Sequence, residues 1–513
     1  MRLSTATLLA LAASTVQAGD FNNTLGNSDL SCVGTFVFGR HNDRTAKPST
    51  VLTNYGATRQ VASGSLFRER YFGLKGANTT VKSDYKIDGL NSEGVFVYGD
   101  TYAQAPASTV IMYSMISFMQ GLYPPTQAWQ TDAALADKMD EEMSNGTVVE
   151  SPFNGYQYVF MDIQQDDSED YIWINGDDSC PNSDNAIAGF NKTEFFKEMN
   201  ASTYDFYKSL GSIIPNSSYA HSKLNFKNAM NVYDFMHVNY IHDEDLAKNW
   251  NETIMHKVSY LADAAQWGIS YNASNATDPL TLGGQSLLGG VANYLNATKT
   301  AGSPYINYFV GSFNTMYQIG GLLQLNEVSD NFTGMPDYGS VYVFDLLHSN
   351  STSDYYVQFS FRNGTNDGSK LEVYPLFGSD EDLMSWSNFT SNIDKVSIRN
   401  VEDWCAACGS TSERCTVYST LYESAESLEN KNVSLSELAS GDYSSLDINT
   451  PSLSNAAAGG IGAGVTIGVF LLVGGFAYLL YRSKKGSSSV LPTSFHKETG
   501  MDAPSVTSKG STL

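Results

Sequence analysis

Hydrophobic and polar positions along the chain repeat with two different periods. Three short apolar runs have the composition of buried strands, and they cover residues 34–38, 95–98 and 305–310. Segments with a helical period lie downstream of these runs, at residues 57–71, 110–122 and 316–325. Two later runs, residues 341–346 and 355–362, predict a β-hairpin across a polar turn. Strands that alternate with helices in this order are typical of a layered α/β core.

The middle of the chain has a different pattern, because helical periods dominate residues 126–254. Its longest helical stretches are predicted at residues 195–210 and 224–247. An acidic loop at residues 165–178 precedes them, but it lacks the ligand spacing and the glycine of a calcium-binding EF-hand. We therefore predict a solvated loop and no metal site. The alternation of helices and strands returns in residues 255–425.

Two apolar segments near the chain termini predict how the protein is sorted. Residues 1–18 combine a charged start, a short apolar stretch and a Val-Gln-Ala end, as in a secretory signal peptide. Residues 456–481 are uncharged and long enough to cross a bilayer, which needs about 20 residues. Basic residues follow at once, so the positive-inside rule places residues 482–513 in the cytosol. A GPI signal fits less well, because its apolar tail normally ends the chain.

These segments predict a single-pass type I protein of the secretory pathway, in the plasma or vacuolar membrane, with a lumenal or extracellular ectodomain. Residues 426–455 are rich in Ser and acidic residues and would form a stalk. Sequons of the form N-x-S/T recur along the ectodomain, and together with the signal they predict a glycoprotein. Glycines recur every four positions from Gly460 to Gly468, a spacing that would let two membrane helices pack as a homodimer.

The composition limits the partners and the covalent chemistry. The chain has 54 acidic and 30 basic residues and a net charge of −24, so we expect no nucleic-acid partner. Five cysteines in a secreted chain allow up to two disulfides and one remaining thiol. Cys405 and Cys408 have the spacing of a redox or zinc pair, but no histidine lies near them, which favours structural disulfides. Spacing alone leaves the connectivity open.

The clearest chemical signal follows the first predicted strand. Arg40, His41 and Arg44 come directly after it, within the sequence Arg-His-Asn-Asp-Arg. Guanidinium groups bind phosphate oxygens through paired, charge-assisted hydrogen bonds. An imidazole between them can attack phosphorus and carry the phosphoryl group. When such a motif stands alone, a surface loop with three cations is the alternative interpretation.

Further motifs downstream favour the phosphate interpretation. A Leu-Thr-x-x-Gly element occupies residues 52–56, and the predicted helix after it ends in Arg-Glu-Arg-Tyr at residues 68–71. The pairs Gly121-Leu122 and Cys180-Pro181 stand further along the chain. Together these motifs resemble those of the histidine acid phosphatases, the branch of the histidine phosphatase superfamily that includes phytases.

The resemblance implies a fold and a mechanism. It implies a three-layer α/β/α core of the phosphoglycerate mutase type, made of residues 19–125 and 255–425, with residues 126–254 inserted as a helical cap. His41 would be the nucleophile, and Arg40 and Arg44 would bind the phosphate of a phosphomonoester or a phosphate-like ligand. No cofactor or metal would take part. Cys180 would pair with one of the C-terminal cysteines.

Five positions depart from the family pattern. Asn42 replaces a glycine of the motif, and Ala46 replaces a proline. Val110 stands where the family has a third phosphate-binding arginine. Phe313 and Asn314 stand where the family has a phosphate-binding histidine and the aspartate that protonates the leaving oxygen. Because an amide has no proton to give as a general acid, we expect weakened catalysis.

Two functional hypotheses remain open. The first is a membrane-anchored, glycosylated acid phosphatase with reduced activity, favoured by Arg40, His41 and Arg44. The second is a catalytically deficient ectodomain that binds a ligand or partner at the cell surface, favoured by the replaced positions. Neither hypothesis uses the other histidines. We interpret His242 as part of a surface pair on the cap, and His237 as a structural residue.

Overall fold

The computed structural model describes residues 23–416, apart from residues 49, 77–78, 127–142, 148, 150–151 and 367. The predicted signal peptide, stalk, membrane helix and cytosolic tail all lie outside these residues. Within the described part, no helix is both long and apolar enough to cross a bilayer. The membrane topology and the glycosylation therefore stay predictions.

A mixed β-sheet forms the centre of the fold. The strands in chain order are β1 Leu30–Arg40, β2 Leu74–Lys75, β3 Thr79–Thr80, β4 Thr101–Pro106, β5 Asp162–Gln164, β6 Ile306–Gly311, β7 Val341–Ser349, β8 Tyr355–Arg362, β9 Leu371–Tyr374 and β10 Met384–Ser385. The sheet has the order β10-β8-β7-β1-β6-β4-β5, with β9 paired to β8, and β2 with β3 forms a separate ribbon. β1 is parallel to β6 and antiparallel to β7, so it joins a parallel half of the sheet to an antiparallel half.

Helices cover both faces of this sheet. In chain order they are α1 Asn54–Phe72, α2 Thr109–Leu122, α3 Pro152–Gly155, α4 Ile172–Asn175, α5 Pro181–Phe190, α6 Glu194–Ser202, α7 Tyr204–Leu210, α8 Ala229–His242, α9 Glu244–Ala247, α10 Glu252–Gly268, α11 Leu282–Ala301, α12 Phe313–Leu322, α13 Trp386–Val396 and α14 Val401–Cys408. Alternate side chains of β1 point to opposite faces. Val37 lies in a hydrophobic cluster with α1 and α2, whereas Phe36 and Phe38 lie in a second cluster with α11 and α12. The predicted α/β core is therefore confirmed.

Helices α1 and α2 pack closely because each has a glycine against the backbone of the other. A Cβ atom at Gly64 would lie 2.0 Å from the carbonyl oxygen of Phe118, and one at Gly121 would lie 2.0 Å from that of Val61. Any side chain at these positions would force the two helices apart. The glycine of the Gly-Leu element therefore has a packing role, and it brings α2 close to the motif loop that follows β1.

The strand predictions succeed in all but one case. The hairpin is confirmed as β7 and β8, with Val343 opposite Ser360. The strand predicted at residues 95–98 is wrong, because the strand in this part of the sheet is β4, which begins at Thr101. The sequence of β4, Thr-Tyr-Ala-Gln-Ala-Pro, has low β propensity. It pairs on both sides, with β5 and β6, so its conformation comes from tertiary burial rather than from local preference.

Helices α5 to α10 form a unit, residues 181–268, which we term the cap segment. It packs around its own hydrophobic cluster, which includes Leu210, Val232, Met236 and Leu261. The two long helices predicted here are each divided, the first at Thr203 and the second at Asp243. The Asp243 carboxylate accepts the Leu246 N–H at 3.0 Å and so starts a new helix. The domain boundaries drawn from the sequence stay predictions.

Two disulfides join the end of the described chain to the rest. Cys180 bonds to Cys408, and Cys405 bonds to Cys415. The predicted pairing of Cys180 with a C-terminal cysteine is therefore confirmed. Cys32 on β1 is the remaining thiol, and it is buried.

The Arg-Glu-Arg-Tyr end of α1 anchors this helix to the sheet. Arg70 donates to the Asp345 carboxylate of β7 at 2.7 Å, and the Tyr71 hydroxyl donates to the same carboxylate at 2.6 Å. The two ionic side chains are 1% and 0% exposed, so the pair is fully removed from water. The Arg70 guanidinium also lies 3.3 Å from the ring centroid of Tyr85. This part of the sequence signature is structural.

Candidate active site

The C-terminal ends of two neighbouring parallel strands define the candidate site. In the register of β1 and β6, Arg40 lies opposite Gly311, and the His41 N–H donates to the Gly311 carbonyl at 3.2 Å. Helix α12 begins at Phe313, two residues after the end of β6. The edge where the carboxyl ends of parallel strands meet is the usual ligand site of open α/β sheets. The motif and residues 312–315 are therefore neighbours, as expected from the sequence.

The Leu-Thr-x-x-Gly element supports the motif loop. Thr53 caps α1 by accepting the Gly56 N–H at 3.0 Å, and its hydroxyl donates to the Asp43 carboxylate at 2.5 Å. The Thr53 N–H donates to the Asp43 carbonyl at 3.1 Å. A Cβ atom at Gly56 would lie 2.4 Å from this carbonyl oxygen, so a larger residue would displace the loop. These contacts hold the loop in one conformation at the start of α1.

Asn42 fits the loop without backbone strain, since its φ is not positive. Its N–H donates to the Ser114 hydroxyl of α2 at 3.0 Å. Its side-chain amide donates to Gln60 of α1 at 3.3 Å and to Thr365 at 3.2 Å, and its Oδ1 accepts the Asp43 N–H at 2.8 Å. The replacement of the family glycine therefore adds connections to the loop and does not distort it.

His41 has the protonation state that a nucleophile needs. Its Nδ1 lies 2.9 Å from the Asn42 carbonyl oxygen, and because a carbonyl only accepts, Nδ1 must carry the proton. The lone pair is then on Nε2, which has no hydrogen-bond partner among the described residues. Burial, and next the charge of Arg40, lower the pKa of His41 to about 3. The imidazole is therefore neutral through most of the acidic range.

Arg40 lies between two aromatic rings. Its guanidinium is 5.0 Å from the ring centroid of Phe313 and 4.5 Å from that of Tyr338. One of its N–H groups donates to the carbonyl of Pro336. Burial lowers the pKa of Arg40 from its ordinary value, and the ring contacts offset part of the cost of burying the charge.

Arg44 is paired with the cap segment. Its guanidinium forms a hydrogen-bonded ion pair with the Asp234 carboxylate of α8, and it also donates to the Thr45 carbonyl at 3.1 Å. The two ionic side chains are 8% and 10% exposed, so this pair is also largely desolvated. The candidate phosphate-binding group thus has an anionic partner in the unliganded protein, and a bound phosphate would compete with that partner.

Comparison with known proteins identifies the family. Residues 7–362 match the family model described as the histidine phosphatase superfamily (branch 2). The chain belongs to this family. No curated protein sequence matches it. Among solved structures, a phytase from Citrobacter braakii has a TM-score of 0.51 and 13% identity, over 74% of this chain and 99% of its own. A phytase from Klebsiella sp. ASR1 has a TM-score of 0.51 and 10% identity, over 72% of this chain and 97% of its own. At such identities these two structures support the fold alone.

The replaced positions of this histidine phosphatase lie in different surroundings. Val110, in the first turn of α2, is buried in the hydrophobic cluster between the sheet and helices α1 and α2. Phe313 contacts Arg40, as described. Asn314 is next to it in the first turn of α12, and its Oδ1 is buried with no hydrogen-bond partner among the described residues. The structure therefore brings Phe313 and Asn314 to the motif, whereas the Val110 side chain belongs to the apolar core.

One cap histidine requires correction, and a second lies near the motif. His242 does not belong to a simple surface pair, because its Nε2 lies 2.9 Å from the Asp43 carboxylate inside the motif loop. His237 stacks on Tyr233 and contacts the ring of Tyr338, which also contacts His41. The sequence analysis did not predict that this helix contacts the motif loop. Polar Asp and His residues among the apolar positions of α8 were the available signal, but they do not reveal which surface the helix meets.

Proposed function

We propose that this protein hydrolyses phosphomonoesters through a phosphohistidine intermediate on His41. The observation that supports this most is the neutral imidazole, with its Nδ1 proton donated to Asn42 and its Nε2 unpaired, at the strand end shared with Arg40 and Arg44. A neutral imidazole with a free Nε2 is a competent nucleophile. Membership of the histidine phosphatase family makes phosphoryl transfer the reaction class to test first.

In the proposed reaction, the Nε2 lone pair of His41 attacks phosphorus while the bond to the leaving oxygen breaks. Water then attacks the phosphohistidine, and inorganic phosphate leaves. Arg40 and Arg44 would stabilise the charge on the transferring group, after Arg44 exchanges Asp234 for a phosphate oxygen. The first turn of α12 has no side-chain cap, so its N–H groups are available to the same phosphate.

We propose that the activity is reduced relative to a complete site. Loss of one cationic group that stabilises an oxyanion lowers the rate by about 10²–10³. The sequence predicts such a loss from Val110 in place of the family arginine. Loss of a general acid costs roughly 10²–10⁴, as expected for Asn314 in place of aspartate. The second loss depends on the leaving group, because a phenolate departs unprotonated far more readily than an alkoxide. Aryl phosphates should therefore be the best substrates.

We also propose the setting that the sequence predicts. The ectodomain would be glycosylated and would face the lumen or the cell exterior, with residues 456–481 as the membrane anchor. Protease treatment of sealed microsomes should spare the ectodomain and remove the tail. Cleavage of the ectodomain instead would contradict this orientation.

The second candidate is a catalytically deficient ectodomain that binds a phosphate-like ligand or a protein partner. It is favoured by the state of the two arginines, since Arg40 donates to the Pro336 carbonyl and Arg44 pairs with Asp234. A site with its cationic groups so engaged could bind a ligand weakly and turn over little.

One experiment separates the two candidates. The purified ectodomain is incubated with 4-nitrophenyl phosphate and with ³²P-labelled substrate between pH 3 and pH 7, and acid-labile phosphohistidine is trapped by rapid quenching. Wild type should give turnover and label, and His41→Ala should give neither. His256→Ala is the matched control, because His256 is an exposed cap residue. Phosphate binding by calorimetry without turnover or label in wild type would favour the second candidate.

A further inference from the structure

Asn314 stands at the family position of the proton donor, and the cap segment places an unused histidine near the motif. His237 stacks on Tyr233 with ring centroids 5.2 Å apart, and it contacts the Tyr338 ring at 5.5 Å. His41 contacts the same Tyr338 ring at 5.6 Å. The two imidazoles therefore lie against one shared phenol ring, one from the core and one from the cap.

The hydrogen-bonding state of His237 sets it apart from its neighbour on α8. The Nε2 of His242 is engaged by the Asp43 carboxylate at 2.9 Å. Neither ring nitrogen of His237 has a hydrogen-bond partner among the described residues. His237 is half-buried, and because its ring nitrogens are not engaged by the described residues, they can meet a ligand in the site.

The charges around His237 are those of the motif itself. Burial, and then the charge of Arg40, lower the pKa of His237 to about 4, while Asp234 and Asp43 oppose the shift and Arg44 adds to it. His237 is thus close enough to be affected by the charged side chains that surround the candidate nucleophile. A bound phosphate dianion would partly cancel the effect of the arginines and favour the imidazolium.

We propose that His237 is the general acid of this enzyme, donating a proton to the leaving oxygen in place of the family aspartate that Asn314 replaces. The inference rests on the proposed function, since it supplies a step of the same reaction. It moves the donor from the strand-end position of the core to a helix of the cap.

The proton that His237 donates in the first step is recovered in the second. In the first step, the His41 Nε2–phosphorus bond forms, the phosphorus–oxygen bond breaks, and the His237 imidazolium gives its proton to the departing alkoxide. In the second step, neutral His237 takes a proton from the attacking water, the phosphorus–nitrogen bond breaks, and phosphate leaves. The enzyme returns to its starting protonation state, and no other reactant is needed.

The test compares leaving groups in His237→Gln and His237→Asn. Both variants keep a polar side chain but cannot donate as an acid. We expect kcat/KM for β-glycerophosphate to fall by about 10²–10⁴, and kcat/KM for 4-nitrophenyl phosphate to fall by less than about tenfold. His256→Gln, an exposed cap histidine, is the matched control and should change neither. Unchanged orthovanadate affinity would show that the variants keep a folded site.

A rescue experiment separates chemistry from structure. Asn314→Asp in the His237→Gln background should restore hydrolysis of β-glycerophosphate, because it returns an acid to the strand end. The pH profile should also lose the titration of His237, whose facing groups are Tyr233, Asp234 and the side chains of Tyr338, Arg40, Asp43 and Arg44.

Each other outcome overturns the inference. Equal losses on both substrates in folded variants would assign His237 a structural role. A leaving-group-dependent loss in His242→Gln, with none in His237→Gln, would assign the acid to His242. In both cases wild-type turnover and His41 phosphorylation would still support the proposed function. A wild type without turnover or phosphohistidine would refute the proposed function and this inference together.

Discussion

We expect the pairing of Arg44 with Asp234 to limit how tightly the motif loop binds an anion, and Asp234→Asn tests this. In wild type, the Asp234 carboxylate holds the guanidinium group of Arg44, which the proposed mechanism assigns to phosphate. Asparagine keeps the shape of the side chain and an acceptor oxygen, but it removes the negative charge. An incoming phosphate would then meet no anionic competitor on Arg44.

Two effects of known size follow from this substitution. Breaking a buried ion pair by removing one partner costs about 3–5 kcal/mol of folding free energy. Since the two ionic side chains are 8% and 10% exposed and asparagine can still accept a hydrogen bond, we expect a loss near the lower end, about 3 kcal/mol. A ligand at 100 times its Kd returns about 2.7 kcal/mol. Saturating phosphate should therefore restore most of the lost stability.

Urea unfolding, followed by tryptophan fluorescence with and without phosphate, measures the stability. Competition between phosphate and orthovanadate at pH 7 measures the affinity, which should rise about tenfold in the variant, equivalent to about 1.4 kcal/mol. Asp245→Asn is the matched control, because Asp245 is an exposed cap carboxylate that pairs with Lys248. If Asp234→Asn binds phosphate no more tightly than wild type, the competition described for Arg44 does not exist.

The remaining predictions concern packing, a buried charge and pH. Gly121→Ala should lower the free energy of unfolding by about 1–3 kcal/mol, because its Cβ would strike a carbonyl oxygen of α1, while Gly189→Ala, with open space around it, should be neutral or stabilising in the same urea titration. Asp345→Leu should cost about 3–5 kcal/mol by removing the carboxylate that pairs with the buried charge of Arg70; a loss below 1 kcal/mol would show that the pair is dispensable. Because the pKa of His41 is lowered to about 3, the unfolded chain takes up its proton first as pH falls below about 6.5, so stability should decline between pH 6.5 and pH 3. His41→Gln should flatten this decline by up to about 1.4 kcal/mol per pH unit, and an unchanged slope would contradict the burial of a neutral imidazole.

The sequence determined the part of the site that is local in the chain. A strand, the Arg-His-Asn-Asp-Arg loop and the capped start of α1 are continuous in the chain, so the Leu-Thr-x-x-Gly element recognised in the sequence contacts the motif loop directly, through Thr53 and Gly56 against Asp43. The resemblance also located Phe313 and Asn314, because the parallel pairing of β1 and β6 brings their strand ends together. The prediction of a strand at residues 95–98 is wrong for the opposite reason. The strand in this part of the sheet is β4, and it is extended because β5 and β6 pair with it, not because of its own sequence.

Only the tertiary structure decided what faces the motif from the cap segment. Asp234, His237 and His242 lie about 190–200 residues from the motif loop in sequence, all on helix α8. The hydrophobic pattern of this helix predicts only which of its sides packs against the other cap helices. That pattern carries no information on which polar residues of the other side meet Arg44 or Tyr338. The sequence therefore determined which motif residues of the family the core has kept and which it has replaced, because those positions follow strands and helix starts with local signatures. The docking of the cap decided which of its side chains contact the motif, because long-range packing sets this docking and no local preference encodes it.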